Sequence, residues 1–218
     1  QYVKDQPRDV RIGIVAFAAT ALLVQSPTTD HAALNAAIDR FELQRGTAVG
    51  SGILVALSTL FPQDNFPINQ FNSQNFGGYG RWGGNDFRDR YGGVALGDRA
   101  KAPPKKHVPV EPGSYKNAVA ILLTDGQRTT GPDPIEIAKM AADRGVRVNA
   151  VAPGVITTPF HERYSTKAQL DAALATIPAG RLGVAEDCVG AFLFLACASL
   201  SGYVIGQVIE VNGGQLMP

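Results

Sequence analysis

The chain has 218 residues, 45% hydrophobic and 18% charged, with a net charge of +1. That length holds one large domain or two small ones, and the composition is ordinary for a globular protein, which excludes a fibrous or low-complexity chain. A near-neutral balance gives no global pull towards nucleic acid or an anionic membrane surface. Two cysteines, Cys188 and Cys197, fall nine apart in one predicted helix. At about 100° per residue they face opposite ways and cannot pair. Three scattered histidines, His31, His107 and His161, complete no zinc spacing.

In chain order, Arg8 to Ala18 alternates and then runs apolar, which predicts a buried strand. Thr20 to Val24 reads as a second strand returning antiparallel. Ser26 to Asp30 is turn and N-cap chemistry, and Leu34, Ala37, Ile38 and Phe41 form the apolar stripe of the helix that follows. Gly46 stops that helix. A second helix is marked by Ile53, Leu54, Leu57 and Leu60 and ends near Pro62. Residues 63–115 lack any sustained period and read as a long irregular insert. Its segment Gly77–Gly84 interleaves aromatics, arginine and glycine as some RNA-binding tails do. The aspartates Asp86, Asp89 and Asp98 offset that charge, so a solvated loop is expected and no nucleic-acid partner.

Lys116 to Gly126 predicts a buried strand. Asp133, Pro134 and Glu136 read as N-cap, first helical position and capping box, and Gly145 as the helix stop. Val146 to Ala152 is the next strand, so a right-handed parallel crossover is expected. A helix near Ser165–Ala175 follows, then an apolar helix from Ala185 to about Ser199 and a last strand, Gly206–Val211. Cys188 to Ile209 carries no charge over 22 residues. Its serines and glycines favour a buried helix and strand over a membrane span. The fold class expected is α/β: three layers, Rossmann-like, doubly wound, with a mainly parallel sheet.

The phrases RIGIVAFA, TTDHAALNAAIDRF, RGTAVGSGI, AILLTDGQRTTGPDP and IAKMAADRGVRV give residues 1–148 a resemblance to a bacterial von Willebrand factor type A domain lacking its first strand. The resemblance implies a metal-dependent adhesion-type site, with Thr47 and Asp125 as the ligands present for Mg²⁺ or Mn²⁺. The Asp-x-Ser-x-Ser loop of that family is absent, so two hard oxygen ligands remain where about six are wanted. It also implies a protein ligand as partner.

Residues 146–218 resemble a second family, the classical short-chain dehydrogenase/reductases, through VRVNAVAPGVITTPF, AGRLGVAEDCVGAFLFLA and YVIGQVIEVNGG. That resemblance implies an NAD(P) site whose nicotinamide end is lined by Pro153, Gly154, Ile156 and Thr158. The family's Gly-rich turn and its Tyr-x-x-x-Lys are absent. Gly46–Gly52 has the glycine spacing but follows a helix, whereas the turn is useful only after a strand. Tyr164 to Lys167 is one residue short.

The sequence therefore reads as two segments, 1–148 and 149–218, joined near Val148–Asn149 and completing one sheet. Gln1 is no natural start, so residues upstream are expected. The function expected is a non-catalytic type-A-like protein-binding module with an incomplete metal site. The alternatives are an NAD(P)-dependent oxidoreductase fragment and a fusion with no selected function. Strands 10–17 and 118–124 are expected to pair directly, or to be completed by another chain. With no signal or membrane span, the compartment expected by default is the cytoplasm.

Overall fold

A computed structural model of the chain describes residues 3, 6, 7, 9–41, 46–66, 68, 107–124 and 129–216. The architecture is α/β, of the three-layer Rossmann-like class with a mainly parallel sheet, as the sequence predicts. The chain divides into two compact units. One holds Val3–Ser114 with Gln127–Gly145; the other holds Gln1–Tyr2, Tyr115–Gly126 and Val146–Pro218.

In the first unit, β1 (Ile12–Phe17) and β2 (Ala21–Thr28) form the expected antiparallel hairpin, with Phe17 opposite Ala21 and Val15 opposite Leu23. β2 runs four residues further than predicted. Helix α1 (His31–Asp39) opens on Asp30, whose carboxylate accepts the N–H groups of Ala32 and Ala33 at 2.9 and 3.1 Å. Its buried stripe is narrower than the periodicity suggests: Leu34 and Ala37 are buried, whereas Ile38 and Phe41 are exposed. Helix α2 (Val49–Leu60) packs on both hairpin strands and buries nine of its twelve residues, so it is the core of this unit.

Helix α3 (Pro134–Ala142) packs on α2. Asp133 accepts the N–H of Ile135 at 2.8 Å, and Pro134 sits in the first turn. Glu136 also lies in that turn, but the structure gives it no reciprocal capping bond. Gly145 ends the segment with φ of 71°, the left-handed stop expected. Both feet of the insert meet the end of α3. Arg144 donates to Asp64 at 2.7 Å and to Met140 O at 2.9 Å, and its guanidinium lies 4.6 Å from the Phe66 ring centre. The Asp143 carbonyl accepts from His107 Nε2 and from Val110 N, each at 2.8 Å.

In the second unit, β3 (Val119–Leu123), β4 (Arg147–Pro153) and β5 (Val208–Val211) form a parallel sheet in the order β3-β4-β5. Val119 pairs with Arg147, and Ala150 with Val208. β4, flanked on both sides, buries its first six residues. Helices α4 (Pro159–Tyr164) and α5 (Lys167–Leu174) follow β4. Sequence reading missed α4, although Thr158-Pro159 carries its start signal. Helix α6 (Ala185–Ala196) packs across all three strands.

The predicted helix to Ser199 breaks at Cys197, which is extended (φ −81°, ψ 107°), and restarts as α7 (Ala198–Ser201). Buried Arg147 holds this break. Its Nη1 donates to Leu195 O at 3.1 Å, Ser201 O at 3.0 Å and Ser201 Oγ at 2.9 Å. A cation there complements carbonyls at helix C-termini. Asn149, also buried, donates to Val204 O at 2.9 Å and accepts from Gln207 N at 3.0 Å, which fixes the approach to β5.

The direct pairing expected between strands 10–17 and 118–124 does not occur. Among the described residues β1 pairs only with β2, and β3 only with β4. Among the described residues no helix is long and apolar enough to cross a membrane.

Candidate nicotinamide-type site

The site is built where β4 and β5 end. Gly154, directly after β4, donates its N–H to Val211 O at 3.0 Å. A Cβ on Gly154 would lie 2.7 Å from Asn212 Cβ and 2.8 Å from Asn212 Cα. Only glycine lets the two strand ends approach this closely.

Beyond it, the chain runs parallel to Gly183, with Ile156 as the bridged residue. Gly183 N donates to Val155 O at 3.0 Å, and Gly183 O accepts from Thr157 N at 2.9 Å and from Thr157 Oγ1 at 2.6 Å. In a parallel bridge of this polarity, the bridging bonds belong to the neighbours of the central residue. The N–H and C=O of Ile156 therefore point away from Gly183, and among the described residues they have no partner. Thr158 is exposed and caps α4 by position, but its hydroxyl makes no capping bond. The loop thus offers one backbone donor, one backbone acceptor and one free hydroxyl.

The facing loop is held by charge. Arg181 grips Asp187 with two bonds of 2.7 Å, and Asp187 Oδ2 also accepts Val184 N–H at 2.8 Å. The Arg181 hydrogen bond, then the Val184 N–H, hold the Asp187 carboxyl far below the usual carboxylate range. A cavity of about 350 Å³ opens between the two loops, lined among others by Val155, Ile156, Ile177, Arg181 and Asn212.

The near-motifs do not assemble. Tyr164 ends α4 and Lys167 opens α5, with Ser165 and Thr166 extended between them, so they do not share a helix face. Lys167 is paired with Asp171 at 2.6 Å. The stretch from Gly46 follows α1 rather than a strand, and α2 opens at Val49. Of the expected metal residues, Asp125 lies outside the described residues, as does Gly77–Gly84. Thr47 is locked to Thr129: its N–H donates to Thr129 Oγ1 at 2.7 Å and its carbonyl accepts Thr129 N–H at 3.1 Å.

The two cysteines are free. Burial pushes the Cys188 thiol up. The Ser199 hydroxyl, 3.1 Å from Cys197 Sγ, and then the Leu200 N–H pull the Cys197 thiol down. At pH 7.5 an aromatic disulfide reagent should modify Cys197 at least about tenfold faster than Cys188. Ser199→Ala should narrow that ratio. Equal rates in the wild type would contradict the geometry.

Comparison with known proteins places residues 136–215 in a match to the family described as enoyl-(acyl carrier protein) reductase. The match starts within α3, ten residues before Val146. A 3-oxoacyl-[acyl-carrier-protein] reductase of Thermotoga maritima is 51% identical over 77 residues, 35% of this chain and 30% of that protein. The Haemophilus influenzae 3-oxoacyl-[acyl-carrier-protein] reductase is 46% identical over 78 residues, 36% of this chain and 31% of that protein. The chain thus spans under a third of the length of these curated relatives. Among solved structures, a gluconate 5-dehydrogenase from Burkholderia cenocepacia, in complex with NADP and tartrate, is 25% identical with a TM-score of 0.38. It covers 47% of this chain, and 46% of that chain is covered.

These matches overturn three expectations. The non-catalytic type-A-like binding module gives way, because the relatives are reductases. The leaning towards a non-enzyme falls with it. So does the assignment of Mg²⁺ or Mn²⁺ to Thr47 and Asp125. The Burkholderia enzyme was solved with NADP, and among the described residues no three His, Cys, Asp or Glu side chains gather as metal ligands. Residues 136–215, about a third of the chain, are thus similar to enoyl-(acyl carrier protein) reductase and 3-oxoacyl-[acyl-carrier-protein] reductase sequences.

Proposed function

We propose that the second unit forms the nicotinamide end of an NAD(P) site in a short-chain dehydrogenase/reductase-type oxidoreductase, acting on a ketone or the matching secondary alcohol. The observation that carries this reading is the outward-facing N–H and C=O of Ile156, which have no partner among the described residues, with the exposed Thr158 two residues on. A primary carboxamide has one acceptor oxygen and an NH₂ donor, so it complements that backbone pair. The dinucleotide, when bound, supplies or takes up a hydride.

In this reading Ile156 N–H donates to the carboxamide oxygen and Ile156 C=O accepts from its nitrogen. Thr158 adds a hydroxyl at the same end. Pro153 and Gly154 place the loop by ending β4 and closing against Asn212. The cavity beside Ile156 gives the ring room. The assignment covers the nicotinamide end alone, since neither Gly46–Gly52 nor Tyr164–Lys167 has the geometry to hold pyrophosphate or to pass a proton. The relatives' names suggest a 3-oxoacyl group on a carrier as the substrate class.

Calorimetric titration with NADH and NADPH tests the reading. Thr158→Ala should weaken binding by roughly three- to tenfold, the worth of one hydrogen bond. Wild-type protein that binds neither dinucleotide at millimolar concentration would sink the proposal.

A further inference from the structure

We propose that Arg181, Gly183 and Asp187 are positioning residues that aim the Ile156 peptide groups at the cofactor carboxamide, an inference that rests on the nicotinamide-end reading above. The Asp187 carboxylate is engaged on both oxygens. Oδ1 accepts from Arg181 Nη2, and Oδ2 from Arg181 Nη1 and from Val184 N. Arg181 Nη1 also donates to Leu182 O at 3.2 Å. One ion pair therefore brackets residues 182–184 from both sides and sets the direction of the Gly183 peptide groups.

That direction decides where Ile156 points. Gly183 spends its N–H on Val155 and its C=O on Thr157. Because both neighbours of Ile156 are tied to one side, Ile156 presents its own N–H and C=O to the other. A Cβ on Gly183 would clash only with Ile156 Cδ1, the end of a side chain that can rotate away, so Gly183 acts on Ile156 through its backbone bonds.

The ion pair has little reason to exist for stability. The Arg181 side chain is 59% exposed, where solvent screens such pairs to near-zero worth. A bidentate fork does fix orientation, however, and a lysine cannot reproduce it. The structure thus separates two effects: loss of the pair should leave the fold intact and loosen the aim of one loop.

The test uses the full chain, its Asp187→Asn and Arg181→Lys variants, and two probes, NAD⁺ and its 3-acetylpyridine analogue. The analogue keeps the ring carbonyl but replaces the carboxamide NH₂ with methyl, so it cannot donate to Ile156 O. Wild-type protein should prefer NAD⁺ by about tenfold. In the variants the preference should fall to roughly threefold or less, because NAD⁺ loses the bonds to both Ile156 groups and the analogue only the one from Ile156 N–H. A purely structural role would weaken both probes by the same factor and leave the preference unchanged. A preference that survives intact in Asp187→Asn and Arg181→Lys overturns the positioning role while leaving the nicotinamide reading in place. If wild type binds neither probe, the nicotinamide reading fails instead. Amide hydrogen exchange at Thr157 then decides the clamp: faster exchange in Asp187→Asn supports it, and unchanged protection overturns it.

Discussion

Replacing Arg147 with methionine should lower the unfolding free energy by about 2–4 kcal/mol, the largest single loss expected in the second unit. Methionine keeps much of the aliphatic length but no donor. The Arg147 side chain is almost wholly buried and serves Leu195 O, Ser201 O and Ser201 Oγ through one nitrogen. Burial holds its guanidinium below the ordinary value, with the Cys197 thiol acting in the opposite direction. Removing it leaves buried carbonyls at the ends of α6 and α7 short of donors, and an unmade buried hydrogen bond costs more than a made one contributes. Urea denaturation followed by circular dichroism measures the change. A loss under about 1 kcal/mol would mean that water or Ser201 alone can satisfy those carbonyls.

Gly154→Ala should act on stability and function together. The added methyl would sit 2.7 Å from Asn212 Cβ and 2.8 Å from Asn212 Cα, and the second of these is backbone that cannot swing aside. The cost expected is about 1–3 kcal/mol, in line with overpacking of a filled site. The functional effect is indirect: the 155–158 loop shifts, and NADPH binding should weaken by more than about tenfold as the Ile156 peptide loses its alignment. Thermal melting and calorimetry on one sample read both. A variant that melts and binds like wild type would show that β5 can give way at Asn212.

Much of this was legible beforehand because the signals are local. Asp30 and Asp133 cap helices by side-chain chemistry that needs no tertiary partner. Gly145 adopts the left-handed stop for the same reason. The phrase VRVNAVAPGVITTPF drew attention to the loop after β4, where Gly154, Ile156 and Thr158 follow Pro153, the last residue of the strand. What sequence reading missed depends on partners far along the chain. Arg147 and Asn149 lie within the strand predicted from Val146 to Ala152, which assigns them no role of their own. Their roles become visible only when Ser201, Val204 and Gln207, more than fifty residues on, are brought beside them. The Arg181–Asp187 pair was readable as an i to i+6 spacing, but its purpose lies in what Gly183 does to Ile156. The metal and adhesion reading went wrong differently. It carried a family's function over with two ligands, Thr47 and Asp125, although the last third of the chain carried the resemblance that the relatives support.

The meeting of Asp64–Phe66 and His107–Val110 on the last turn of α3 has a consequence for how this protein can change. The chain between those anchors leaves and returns at one place. A single change at Arg144 would remove the Asp64 bond, the Met140 bond and the Phe66 contact together, whereas the second foot would keep its two bonds to the Asp143 carbonyl. One helix end thus serves two segments by separate groups, a side chain for one and a backbone carbonyl for the other.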